Sequence, residues 1–239
     1  MIHNQVIKKL GGKFNDELFL LFPISTHATP AAAYAHVAHR DWEYDSAMPQ
    51  QTRADGCKDI AYQLINQEPG NSFQVIFGGG RRNFLSRPDN TANQTQPEAF
   101  RADGINLIDQ WKTKRAASGL TEDEYAYIES RDQLLALDEK RIKYAFGLFN
   151  DDHVVYHAEL STNPNNPSLS EMATKAVKIL SQNQAGFVLL VEGGRIDHAH
   201  HGNQGVMAVE ETIQFDQAIG QTLELVDKKD TLVNKLIHS

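Results

Sequence analysis

Residues 192–201 read Glu-Gly-Gly-Arg-Ile-Asp-His-Ala-His-His, two carboxylates and three imidazoles in one short stretch. Carboxylate with imidazole is ligand chemistry for zinc, while a carboxylate with a hydroxyl and water suits magnesium. If the chain turns helical after Ile196, Asp197 and His201 stand four residues apart and face the same way. Two ligands on one turn can then share one ion. His198 and His200 point elsewhere on such a helix, where they could support the ligands or bind phosphate oxygens. The alternative is a polar loop whose histidines are merely solvated. So many ligand-type side chains directly after an apolar run favour the metal site.

A second group lies in residues 26–40, which hold Thr26-His27-Ala28-Thr29-Pro30, Tyr34-Ala35-His36 and His39-Arg40. The Thr29 hydroxyl could cap a helix, or it could sit on a magnesium ion. Arg40 could make a surface ion pair, or clamp a phosphate through two parallel N–H bonds. Spacing alone leaves both pairs of alternatives open.

These residues need elements to hold them. Phe187-Val188-Leu189-Leu190-Val191 precedes the first cluster and is bounded by glycine, the pattern of a buried strand with Glu192 at its C-terminal tip. Open α/β sheets bind ligands outside the carboxyl ends of their strands. Residues 73–77 alternate and run into Gly78-Gly79-Gly80, a strand with a tight exit, and further strands are predicted at 145–149 and from 230. Helical patterns cover 29–39, 54–67, 105–117, 121–138, 169–182 and 206–226, the last repeating apolar residues from Val206 through Val209 and Ile213 to Val226. Residues 86–104 and 150–167 read as surface loops, and 1–24 show no clear period. Strands alternating with helices predict an α/β fold, a partial doubly wound, largely parallel sheet with flanking helices, in a single domain over 1–239.

The formal net charge of −8 argues against a nucleic-acid surface, which needs clustered lysine and arginine. A small anionic substrate remains compatible, because a bound metal outweighs the global charge locally. Cys57 is the only cysteine, so no intrachain disulfide forms. No apolar run approaches the length of a transmembrane segment. The stretch Leu18-Phe19-Leu20-Leu21-Phe22 is short for a signal peptide, and Asp16 and Glu17 interrupt it. Asn93-Gln94-Thr95 is an acceptor sequon, meaningful only in a secreted chain.

Five segments together carry a more specific signal. They are Thr26-His27-Ala28-Thr29-Pro30 with Tyr34-Ala35-His36 and Arg40; Gly56-Cys57-Lys58-Asp59-Ile60-Ala61; Val75-Ile76-Phe77-Gly78-Gly79-Gly80-Arg81; Gly147-Leu148-Phe149; and Val191 through His201. In this order they resemble the alkaline phosphatases, the animal branch in particular, from about residue 25 to about 233. The resemblance implies Thr29 and Glu192 as magnesium ligands, Asp197 and His201 as two of the three protein ligands of one zinc, and Arg40 as the grip on substrate phosphate. It places His27 beside the magnesium site and His198, with His200, around the zinc motif. It further implies zinc and magnesium as cofactors and hydrolysis of phosphate monoesters through a phosphoserine. The implied partners are a second subunit of a homodimer or a full-length subunit, and the implied location is extracellular or GPI-anchored at the plasma membrane.

The sequence departs from the family pattern in ways that bear on activity. The family's nucleophilic serine lies upstream of Thr26, in an Asp-Ser-Ala type motif with no match in residues 1–24. Asp45-Ser46-Ala47 has the right letters in the wrong place, after Arg40. After Val233 the chain reads Asn-Lys-Leu-Ile-His-Ser where the family has Thr-Ala-Asp-His, whose last two residues bind the second zinc. The expectation is a domain lacking N- and C-terminal parts, catalytically incomplete by itself and marginally soluble. Cys57 matches a half-cystine whose partner would lie upstream, and Asn150 and Asn166 fall near calcium-binding positions of the animal enzymes.

Overall fold

Alternation along the central strands decides the architecture. In β3 (Val75–Gly78), Val75 and Phe77 enter one apolar core while Ile76 enters another. In β5 (Tyr144–Leu148), Ala145 joins the first core, and Phe146 and Leu148 join the second. In β6 (Gly186–Glu192), Phe187, Leu189 and Val191 face the first core and Leu190 packs on the second. A period of two with both faces apolar requires cover on both sides of the sheet. Each fully buried Val, Leu or Phe contributes roughly 1.5–3 kcal/mol.

The computed structural model describes residues 2–10, 18–21, 25–86, 100–226 and 231–238. Among them, strands join in one sheet of order β4-β5-β3-β2-β6-β1-β7. β2 (Leu18–Leu21) runs parallel to β3 and β6, and β5 runs parallel to β3 and to β4 (Tyr125–Ile128). β1 (Ile2–Leu10) lies antiparallel between β6 and β7 (Thr231–His238). The predicted α/β class and largely parallel sheet are therefore present, with one reversed strand. The sequon at 93–95 and most of the loop expected at 86–104 lie outside the described residues.

One face is covered by α5 (Arg131–Ala136), α6 (Leu169–Leu180) and α8 (Gly205–Glu224), the other by α1 (Ala28–Tyr34), α3 (Ile60–Asn66) and α4 (Leu107–Ala117). α6 begins where Ser168 and Glu171 cap each other's backbone, and Met172, Ala173, Ala176, Val177 and Leu180 make its buried stripe. α8 and α4 also match the predicted helices closely.

Three expectations change. The helix expected over 121–138 is β4 followed by α5, because Tyr125-Ala-Tyr-Ile pairs with β5 and Ser130 starts a new helix with a capping box to Gln133. The helix expected over 54–67 is two: α2 (Gln50–Ala54) stops before Gly56, whose φ of 90° is left-handed, and Asp59 caps α3 through Tyr62 N–H. The helix expected over 29–39 ends at Tyr34, and His36 N–H goes to the Gln63 side chain. Residues 1–24, without period in the sequence, contain β1 and β2.

Candidate functional site

Segments from the carboxyl ends of β2, β3, β5 and β6 meet at one edge of the sheet. Ser25 N–H donates to Gly79 O at 3.3 Å, joining the segment after β2 to the turn after β3. Gly80, with φ 87°, starts a 3-10 turn over Arg81–Asn83 whose backbone is bound to the β5 loop. Gly80 N–H donates to Asp152 O at 2.7 Å and Arg81 N–H to Asn150 O at 3.1 Å. The glycine triplet thus serves as a turn that fixes neighbouring loops.

β6 delivers Glu192 into this junction with 7% exposure. Burial pushes its carboxyl up to about 7, against a hydrogen bond from the Thr29 side chain and the nearby His27, which pull it down; the Asp197 charge raises it further. Thr29 is the second residue of α1 and does not cap it; His27 holds the N-cap position, and its side chain makes no capping bond. The Thr29 hydroxyl is directed to Glu192 instead, which decides against the capping alternative.

Gly193 lets the chain turn against α8. A Cβ there would meet Ile196 Cδ1 and Phe215 Cγ, each at 3.0 Å. α7 (Arg195–His201) follows, helical as expected. Asp197 Oδ2 and His201 Nε2 stand 3.5 Å apart, with His201 80% exposed. His198 lies on another side: its Nδ1 is 2.9 Å from Arg195 Nη1, and the Arg195 guanidinium stacks 3.7 Å over the Tyr156 ring. His200 is exposed. The histidines of the motif therefore divide among three environments.

His27 and His198 gather with His153 from the β5 loop. Ring centroids are 4.0 Å apart for His153–His198, 5.5 Å for His27–His153 and 6.1 Å for His27–His198. Burial, with His198, Arg195, His27 and Arg82 around it, pushes His153 down to about 3, so its ring is neutral. His27 Nδ1 is 2.7 Å from Glu43 Oε1, a bond that raises its basicity, and its Nε2 is 3.3 Å from Arg40 Nη2. Arg40 is otherwise exposed, with Asp41 at 3.8 Å.

Sequence reasoning did not single out Glu43, Asn83 or His153. His153 follows a strand tip, a position at which the location rule for open sheets could have flagged it. Glu43 and Asn83 carry no such signal, since only the fold brings them to His27.

Asp45-Ser46-Ala47 is a structural turn. Ser46 Oγ donates to Phe100 O at 2.5 Å, and buried Asp45 accepts from Ala102 N–H at 3.0 Å. Asn150 and Asn166 line an open hollow with Arg81 and Glu129, and Asn166 Oδ1 is buried without a partner. Cys57 is a free, exposed thiol. Among the described residues, no three His, Cys, Asp or Glu side chains converge on a point that a metal could occupy. No described helix is long and apolar enough to cross a membrane.

Fold and site together define an α/β protein whose polar, histidine-rich cluster sits at the carboxyl ends of parallel strands. The family model for alkaline phosphatase matches residues 24–235, and the chain belongs to the alkaline phosphatase family. It is 41% identical over 209 residues to the membrane-bound alkaline phosphatase of Bombyx mori, covering 87% of this chain and 37% of that protein. It is 43% identical over 210 residues to the tissue-nonspecific isozyme of Felis catus, covering 86% and 38%. Among solved structures, a cold-active alkaline phosphatase from Shewanella sp. superposes with TM-score 0.58 at 26% identity, covering 88% of this chain and 39% of that one. The alkaline phosphatase of the Antarctic bacterium TAB5 shares the fold with TM-score 0.61 at 20% identity, covering 90% and 50%. The chain spans about two fifths of the length of the curated relatives it matches.

Proposed function

We propose that this chain carries the metal-holding and phosphate-gripping side of a phosphomonoesterase site. Thr29 and Glu192 hold magnesium, Asp197 and His201 hold zinc, and Arg40 grips the phosphate of a monoester. The observation that carries this reading is Glu192: a carboxylate buried to 7% exposure with a threonine hydroxyl as its bonded neighbour is a position that a divalent cation would relieve. The zinc pair fits by distance. Tetrahedral ligands at zinc bond lengths of about 2.0–2.1 Å stand about 3.4 Å apart, and Asp197 and His201 are separated by 3.5 Å.

When bound, the ions supply charge neutralisation at phosphoryl oxygens and activation of an oxygen nucleophile. The chain's own residues bind and orient. Arg40 presents parallel N–H donors whose geometry matches two phosphate oxygens. Arg195, stacked on Tyr156, keeps His198 Nδ1 occupied. Ser46, the serine of the Asp-Ser-Ala triplet, is committed to Phe100 O. We therefore expect these residues to bind metal and phosphate, with Ser46 not acting as the nucleophile.

Calorimetric titration with zinc and with magnesium tests the reading, alongside hydrolysis of an aryl phosphate at alkaline pH. Asp197→Asn and His201→Ala should each weaken zinc binding by more than the roughly 10–100-fold that loss of a supporting partner costs. Glu192→Gln should abolish the magnesium response. Identical titrations for wild type and variants would refute the assignment, and turnover lost on Ser46→Ala would reinstate that serine as nucleophile. A second reading, a non-catalytic partner of a full-length subunit, draws support from exposed Val206, Val209 and Ile213 on α8. Absence of association in a mixing experiment would remove it.

A further inference from the structure

The geometry points to Glu43 as the positioning residue of the phosphate grip: its carboxylate sets which nitrogen of His27 faces Arg40, and so holds the guanidinium for an anion. This rests on the reading of Arg40 as the phosphate-gripping residue.

Glu43 is anchored to the core. Its Oε2 accepts from Thr26 Oγ1 at 2.8 Å and from Asn83 Nδ2 at 3.0 Å, and Asn83 Nδ2 also donates to Thr26 Oγ1 at 2.8 Å. Thr26 is 0% exposed and Asn83 2%, so the donors cannot swing away. Three chain segments contribute: Thr26 and His27 after β2, Glu43 between α1 and α2, and Asn83 from the turn after β3.

The remaining carboxylate oxygen, Oε1, is 2.7 Å from His27 Nδ1. An ionised carboxylate only accepts, so this nitrogen carries the proton and Nε2 presents a lone pair. That lone pair is what Arg40 Nη2 finds at 3.3 Å. With the opposite tautomer, Nε2–H would face a guanidinium N–H and the contact would be repulsive. Arg40 has 63% of its side chain exposed, and Asp41, its charged neighbour at 3.8 Å, is 72% exposed. Without His27 the arginine is a long arm whose ordering must come out of the binding energy. A guanidinium has five N–H groups, so one held by imidazole leaves enough for a two-point grip on phosphate.

A merely structural Glu43 would hold the loop and leave the tautomer alone, and the test separates the two. On the isotopically labelled full chain, taken to a pH at which the ring's own nitrogen shifts show it neutral, those shifts report the His27 tautomer. Inorganic phosphate, with magnesium present, is titrated by phosphorus NMR. Wild type should show the Nδ1–H form. Glu43→Ala should shift the ring toward Nε2–H and weaken phosphate about tenfold, the loss of one ordered side chain. Glu43→Gln retains an amide oxygen for Nδ1–H, and an Asn83 flip can serve its NH2 through the now unpartnered Asn83 Oδ1. That variant should keep the tautomer and hold affinity within about threefold.

An unchanged phosphate affinity in Arg40→Ala overturns the reading of Arg40, and this inference with it. Weakened binding in Arg40→Ala with wild-type tautomer in Glu43→Ala overturns the inference alone. Should Glu43→Ala fail to fold, an Nε2–H ring in wild type, or a Glu43→Gln variant that loses phosphate, is equally decisive against it.

Discussion

His153 shows how a single residue can set acid sensitivity. Its ring is neutral in the folded protein, pushed down to about 3 by burial and surrounding cations, whereas in the unfolded chain it titrates near 6.5. Between those values the unfolded chain binds the proton and the folded one does not, so stability is full above about 6.5 and is lost as pH falls toward about 3. The loss is at most about 4–5 kcal/mol for this group. Urea unfolding across that window should show a shallower decline for His153→Gln than for wild type; parallel curves would assign the acid sensitivity to other groups. The donors at 192–201 were legible at this scale because they are consecutive and follow a buried strand. Glu43, Asn83 and His153 were not, because their relation to His27 exists only after strand tips far apart in the chain have been brought together.

Among the elements, α3 shows how a helix start is tied to the rest of the fold. Asp59 caps it and also receives Arg101 Nη1 and Nη2 at 2.9 and 3.1 Å, while Arg101, 0% exposed, reaches Asp103 as well. Arg101→Met leaves Asp59 a buried, half-compensated charge, and should cost about 3–5 kcal/mol in denaturant unfolding. The double variant Arg101→Met with Asp59→Asn keeps a neutral cap and should recover part of that loss; a double variant as unstable as the sum would show that the two act independently. α4, α6 and α8 were readable from periodicity and caps. β4 was not: a four-residue strand next to a helix start gave too short a pattern, and its identity comes from pairing with β5. β1 and β2 escaped for the same reason, their partners lying far along the chain.

At the scale of the whole molecule, the two apolar cores account for a doubly wound sheet that matches the family, while α8 presents Val206, Val209 and Ile213 at 85%, 62% and 46% exposure. Spaced at helical intervals, they form one outward stripe. Such a stripe promotes association. Val206→Lys with Ile213→Glu should lower self-association in sedimentation velocity while changing stability by less than about 0.5 kcal/mol per site. Unaltered sedimentation would place any association elsewhere. The net charge of −8 opposes self-association at low salt, so added salt should strengthen it in wild type.

The position of β1 in the sheet has a consequence for biosynthesis. Asn4 pairs with Glu192 and Leu10 with Gly186, so the strand lying against the one that carries Glu192 is synthesised well before it. At translation rates of about 5–20 residues per second, β1 waits on the order of ten seconds or more for β6 to leave the ribosome. Throughout that interval its backbone donors and acceptors have neither β6 nor β7 to pair with, and they are open to any other extended chain. Nascent-chain quality control would have to guard this nine-residue strand throughout that interval.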